Sequence, residues 1–501
     1  MTKFEEAFDL TGYGIFNYIV IFTTSLVLLY TMMESLAIGY VMTVAECDLS
    51  LTVIEKGLIN SAAFIGILST GIFWGYLSDN YGRRKVMLPA LFCSTTCSLC
   101  SATFSYNFAS MFTLRFITGC LVSASSATVF AFIGEMHNNA KRATAIMFAS
   151  TAIGITFIVE PILGWVILSG TWSFQLFGLT ISPWRVFMWT WSVPGLSAAI
   201  ILLFLPESPR YLLANIGPEP ALAVLSQMFA INMRKKRDEF PVSQITDASK
   251  VAARHGFKVA FLNLIHLGQP PLRRCVIISH ICMFTVFMMN SALYTWLPDI
   301  FHVLYTNFQD PVSICEIMVD YYTNLNPNIE RLMLTVTKEC DEKIVHYMVY
   351  PTCMIMGILC SATYVTIGYV VKKWSKIKFY CWVLGVCSIM LTVSALIKMP
   401  PVAVVLYVIG VCSGATASLL SAITVEVFPT SVRALALCTL YMCGRLGAAV
   451  GSNLVGFAFH DNCEVLFMIM CLGTAASVLL LILWPDPKAV RANMESHGFV
   501  Y

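Results

Sequence analysis

Apolar runs of about twenty residues or more alternate with short polar breaks along nearly the whole chain. The first six fall at roughly 16–45, 53–77, 86–105, 109–134, 142–168 and 184–205. A polar stretch of about 206–272 follows, then six more runs at roughly 273–300, 344–371, 379–397, 400–425, 432–457 and 464–484. A helix of roughly 20 apolar residues crosses the hydrocarbon core of a bilayer. The pattern therefore predicts an all-α membrane protein with twelve transmembrane helices in two six-helix repeats. The expected organisation is a first half over 1–205, a linker over 206–272, a second half over 273–484 and a tail over 485–501. One long polar loop, about 301–343, interrupts the second half.

Basic residues orient the pattern. Arg83, Arg84 and Lys85 follow the second run, Lys141 and Arg142 the fourth, Arg234 to Arg237 lie in the linker, and Lys372, Lys373, Lys376 and Lys378 follow the eighth. Positive loops stay inside, so both termini and the linker are expected in the cytoplasm. The first apolar run is too long for the core of a signal peptide and lacks a cleavage site, so it is expected to stay as the first helix.

Composition agrees. Of 501 residues, 58% are hydrophobic and 12% charged, and the mean hydropathy is +0.76. A soluble fold cannot hide that much apolar side chain. The net charge of +3 says little about partners. No basic run points to nucleic acid, no cysteine spacing to a metal, and no cofactor is expected. Most of the 18 cysteines sit in apolar runs and read as small packing residues. Cys315 and Cys340 lie in the polar loop outside the cytoplasm, where a disulfide can persist, and form the candidate pair.

The chain also repeats itself. GYLSDNYGRRK from Gly75 aligns with GYVVKKWSKIK from Gly368, GEMHNNAKRA from Gly134 with VEVFPTSVRA from Val425, and RFITG at Arg115 with LYVIG at Leu406. Three matches in order indicate two copies of one six-helix unit. One large transporter fold is built from such parallel repeats, with the substrate site between them.

GYLSDNYGRRK resembles the signature between helices 2 and 3 of the major facilitator superfamily, carried here by Gly75, Asp79, Gly82, Arg83 and Arg84. PESPRYLL, with Glu207 and Arg210, and EVFPTSVR, with Glu426 and Arg433, are similar to elements of its sugar and organic-ion transporters; Glu135 and Arg142 are the counterpart in the first half. The resemblance implies a cytoplasmic gate. Asp79 at a helix end can pair with basic groups and a neighbouring helix N-terminus, and Gly82 permits a tight turn. The plainer reading is that the basic residues only hold the loop inside. A narrower resemblance is to the synaptic-vesicle glycoprotein 2 group, carried by WSFQLFGLTISPWRVF at Trp172–Phe187, YTWLPDIF at Tyr294–Phe301 and the placement of the long loop. It implies that Trp165 lines a binding cavity. The two partners of that cavity expected on the tenth helix, an aromatic and an acid, are Ala417 and Ser421 here.

Ionisable residues within membrane helices are costly and usually serve a purpose. Glu34 is a candidate for proton coupling or for contact with a cationic solute, or else a buried partner of Arg115. Arg115 can also lie near the interface and snorkel. Glu160 precedes Pro161, where a helix weakens, and is a coupling, hinge or packing residue. Arg445 either holds an anionic solute group or pairs with a carboxylate. His280 is a proton-relay candidate against a structural reading. Asn290, Tyr294 and Trp296 are candidate solute contacts or helix-packing residues. The chain lacks a phosphate-binding GxxxxGK[ST] loop and any nucleophile–base constellation, so no enzyme is expected. The expected function is secondary transport of a small organic, charged or neutral solute by alternating access, in a vesicle or plasma membrane, with protons as candidate coupling ion and the lipid bilayer as surroundings. The alternative is a transport-inactive vesicle protein acting as a receptor or trafficking partner.

Overall fold

A computed structural model describes residues 2–46, 48–170, 172–176, 179–246, 267–270, 272–306, 311–325, 345–370, 374–428, 430–458 and 462–484. Among them, twelve helices are long and apolar enough to cross a membrane. They are α1 (Ile15–Leu36 continued by Ile38–Ala45), α2 (Val53–Tyr81), α3 (Arg83–Phe104), α4 (Phe108–Glu135), α5 (Asn139–Leu168) and α6 (Pro183–Phe204) in the first half. The second holds α7 (Arg273–Thr306), α8 (Val349–Val370), α9 (Lys376–Leu396), α10 (Pro400–Val411 and Thr416–Val427), α11 (Thr430–Ala458) and α12 (Cys463–Ile482).

The polar breaks start helices as their chemistry dictates. Thr52 and Glu55 form a reciprocal capping box at α2, with Thr52 N donating to Glu55 Oε2 at 2.8 Å. Asn107 caps α4 and Asn138 caps α5. Lipid tails are as apolar as leucine, so packing and internal hydrogen bonds, rather than burial from water, hold such helices together. Buried hydroxyls accordingly bond back to their own helix, as Thr24 does to the Val20 carbonyl (2.9 Å). Helices pack across the two halves as α2 on α11, α5 on α8 and α1 on α7.

Four features depart from the sequence expectation. α7 runs to Thr306, through Pro298 and past the expected end near 300. The linker is partly helical, with Pro209–Asn215 and Pro218–Met233, and its Ile245–Thr246 pairs in parallel with Thr2–Lys3. The expected loop over 301–343 contains a helix at Ile314–Leu325. Finally, Cys315 is bonded to Cys463, with Cα atoms 5.3 Å apart, and not to Cys340. Cys463 opens α12, against which the Ile314–Leu325 helix packs, so that helix delivers Cys315 to it. Cys340 lies outside the described residues, as do Lys372 and Lys373 of the second repeat motif.

Candidate functional site

Two of the expected membrane charges meet. Arg115 on α4 pairs with the Glu34 carboxylate on α1 and also bonds the Glu34 carbonyl. Both side chains are buried, and the guanidinium stands 5.3 Å from the Trp191 ring on α6. Arg115 therefore does not snorkel. A buried ion pair needs hydrogen bonds as well as attraction, and here the arginine donates to the helix backbone too. Glu34 is taken up by this pair and is not open to a cationic solute in this state.

In the second half, Arg445 on α11 is half-buried and lies over Phe64 of α2, with 5.8 Å between the guanidinium carbon and the ring centre. The neutral phenol of Tyr441 lies one turn earlier, and no carboxylate pairs with Arg445 among the described residues. Tyr441 OH accepts from Ser421 of α10 at 2.9 Å. Position 421, which falls short of the expected acid, thus belongs to a polar group beside an unpaired cation. His280 on α7 has both ring nitrogens occupied, by the Val276 carbonyl (2.7 Å) and the Thr439 hydroxyl (3.0 Å). That favours the structural role over a relay. Asn290 donates to the Val411 carbonyl, where α10 tightens into a 3-10 turn over Cys412–Ala415. It serves a carbonyl that a broken helix leaves under-used.

Toward the face that carries the disulfide, the two halves clasp each other. Lys56 of α2, 1% exposed, reaches Asp299 of α7 (2.6 Å) and Glu46 after α1 (3.2 Å). Its ammonium lies 5.6 Å from the ring of Trp296, whose indole N–H donates to the Ser452 carbonyl. Trp296 is thus a packing residue of this clasp. Nearby, Tyr294 OH of α7 donates to Glu160 Oε2 of α5 at 2.7 Å, and Phe157 stacks edge-on against Tyr294. Asn453 of α11 donates to Ser61 of α2 at 2.8 Å. At Gly39 the backbones of α1 and α7 touch: a Cβ there would lie 2.0 Å from the Thr295 carbonyl oxygen. Trp165 is 43% exposed and outside this cluster. At about 100° per residue it points about 140° away from Glu160 round the helix.

On the face of the basic loops, the described ion pairs join elements of the first half. Arg83 bonds Asp79 (2.7 Å) and Glu135 (3.0 Å). Glu207 accepts from the backbone N–H groups of Arg84 (3.0 Å) and Lys85 (3.2 Å), so it, and not Asp79, fills the N-terminus of α3. Gly82 makes this possible: its φ is +111°, and a Cβ would lie 2.4 Å from Glu207 Oε2. Arg84 reaches the last carbonyls of α6, at Leu202 and Leu203. Arg210 pairs with Glu5 of the N-terminal helix Phe4–Asp9 and stacks on Phe4 and Phe8. The expected Glu135–Arg142 pair is not made, because Glu135 is held by Arg83; Arg142 has no ion pair among the described residues. Arg83, Glu135, Arg142 and Arg210 line a cleft of about 490 Å³ on this face. Gly75 has open space beside it. The side chains of Glu426 and Arg433 lie outside the described residues.

The clasp of Lys56, Glu46 and Asp299 escaped the sequence reading. Its signal was present, since Lys56 is the one basic residue inside the apolar run at 53–77 and Asp299 sits in the quoted YTWLPDIF. Glu5 could not have been found, because only folding brings the N-terminus to Arg210.

A family model described as Major Facilitator Superfamily matches residues 10–319 and 351–498. Synaptic vesicle glycoprotein 2B of Mus musculus is 25% identical over 327 residues, covering 59% of this chain and 47% of that protein. Synaptic vesicle glycoprotein 2A of Homo sapiens is 25% identical over 321 residues, covering 59% and 43%. The chain thus spans less than half the length of these relatives. Among solved structures, a D-xylose–proton symporter superposes with a TM-score of 0.66 at 15% identity over 95% of this chain and 99% of that one. An inward-open xylose transporter XylE from E. coli gives 0.66 at 17% identity over 95% and 99%. At these identities the likeness shows the fold.

Proposed function

Because the chain belongs to the major facilitator superfamily, we propose that it is a secondary transporter that moves a small organic solute by alternating access. The observation that carries this reading is the one-sided clasp. Lys56–Asp299 and Tyr294–Glu160 tie the halves together toward the disulfide face. Among the described residues, the ion pairs on the opposite face join only the first half and the linker, and none ties the second half to them. Two rigid halves that close on one face and part on the other are what alternating access needs. With the basic loops inside, this state opens to the cytoplasm and both termini are cytoplasmic. A vesicle membrane address suits the relatives' printed names.

The solute carries an anionic group. Among the described residues Arg445 is a membrane cation without a carboxylate partner, and such a charge is retained at a cost of roughly 2.5–3.5 kcal/mol on insertion scales. Ser421 and Tyr441 add hydroxyls beside it, enough to orient a carboxylate or sulfonate. Glu34 and Arg115 form a fixed charged wall of the first half. Protons are the candidate driving ion, as in the symporter that shares the fold. The test is thermal stabilisation of purified protein by a panel of small organic anions, cations and sugars. Saturable stabilisation by an anion, lost in Arg445→Gln and kept in Glu426→Gln, supports the assignment. Stabilisation by cations alone, or by anions equally in Arg445→Gln, overturns it.

A further inference from the structure

We propose that Glu160 is a proton-binding site at the seam between the halves: it carries its proton while the disulfide face is shut and releases it to water when that face opens. The proposal rests on the alternating-access reading and deepens it by naming the group that couples protons to closure.

Three observations converge. First, Glu160 is fully buried, and its two oxygens are treated unequally: Oε2 accepts from Tyr294 of the other half, while Oε1 is buried with no hydrogen-bond partner. Second, among the described residues the titratable groups that face it are phenols and a thiol, uncharged at pH 7. These are Tyr294 on α7, Tyr40 on α1 and Cys353 on α8. α4 and α6, which also pack on α5, present none among the described residues. An ionised carboxylate with one phenol donor and no cation, inside a membrane protein, lacks the partners that make such burial tolerable. Glu34 is the internal contrast, since the buried Arg115 supplies that cation. Third, the site is placed to move. Pro161 has no N–H, so the Phe157 carbonyl loses its helical donor, and α8 packs directly against that carbonyl at Gly357.

The chemistry balances simply. In the shut state Glu160 is –COOH and Tyr294 donates its O–H to the carboxyl. On opening, α5 and α7 part, that hydrogen bond breaks and water enters. The carboxyl becomes –COO⁻, and its proton passes to water on the disulfide face, while Tyr294 keeps its own. Acid on that face therefore favours the shut state.

Two measurements on the full chain in lipid nanodiscs test this, and neither needs a solute. Infrared difference spectra should show the C=O band of a neutral carboxylic acid near neutral pH, absent in Glu160→Gln and shifted to higher frequency in Tyr294→Phe. Hydrogen exchange along α7 and α8, corrected for intrinsic rates, should lose protection by up to about tenfold per pH unit as pH rises from about 6 to about 8.5, the limit for one released proton. Glu160→Gln should be flat. No neutral-acid band assignable to Glu160, or equal pH slopes in wild type and Glu160→Gln, overturns the proposal. If both signatures appear and no solute is ever bound, the transport reading fails while the proton site stands.

Discussion

Removing the Lys56 ammonium should release the clasp on the disulfide face. Lys56→Met keeps the length of the side chain and deletes the charge. Asp299 is then left as a buried carboxylate with only 4% of its side chain exposed. At an effective dielectric constant of about 20, the attraction at the observed 2.6 Å is about 6 kcal/mol before desolvation is counted. Breaking a buried pair by removing one partner typically costs about 3–5 kcal/mol. Lys56 and Asp299 belong to different halves, so the cost of losing this pair falls on the shut state, whereas the Glu46 contact lies within the first half and is lost in both states. At about 1.4 kcal/mol per tenfold, the shut population should fall roughly 100- to 4,000-fold relative to the open one. Hydrogen exchange at the start of α2 and the end of α7 reads this directly. Asp299→Leu should act alike, and the double variant should recover most of the protection, since replacing both ions with apolar groups is often neutral. Strictly additive losses, or a single loss under about 1 kcal/mol, would refute the role given to this pair.

Gly39→Ala should disfavour the same shut state, because its methyl would meet the Thr295 carbonyl oxygen at 2.0 Å; α1 and α7 must part, at a cost of about 1–3 kcal/mol, visible as greater labelling of the disulfide face. Glu207→Gln should lower the melting temperature by the equivalent of about 1–2 kcal/mol, as the N-terminus of α3 loses its anion, and an unchanged melting point would show that the cap is ornamental. His137, between α4 and α5, is held below the usual histidine range by burial, with its ring bonded to the Ile133 carbonyl. Its neutral form belongs to the folded state, so its contribution is complete above about pH 6.5 and is lost as pH falls through that value toward the lowered one. Melting curves of wild type should drop faster below about pH 6.5 than those of His137→Gln.

The helices were legible because bilayer-length apolar runs have few other outcomes, and caps such as Thr52–Glu55 mark their starts in plain sequence. Family motifs pointed to residues that lie together on the basic-loop face, yet pairing was beyond them. Glu135 chose Arg83 over Arg142, and the end of α3 went to Glu207 over Asp79, because those choices depend on how α2, α4 and the linker helix meet. The Cys315–Cys463 bond joins residues 148 apart in the chain, and a spacing argument that looked only within one loop could not find it. Lys56 was readable as an intramembrane charge, but its two partners come from α7 and the end of α1. Arg115 and Glu34 show the converse. Their pairing was one of the options open to the sequence, since each membrane charge needs an opposite one within reach, and two charges on adjacent cavity helices supply it.

Uptake into proteoliposomes tests transport itself most directly. A panel of radiolabelled organic anions, sugars and amines would be offered to wild type, Arg445→Gln and Glu160→Gln, with and without a pH gradient. The expected result is saturable uptake of an organic anion that a pH gradient drives in wild type, that is abolished in Arg445→Gln, and that in Glu160→Gln continues without response to the gradient. Folded, reconstituted protein that takes up no member of such a panel above empty liposomes would contradict it and turn attention to a receptor or trafficking role.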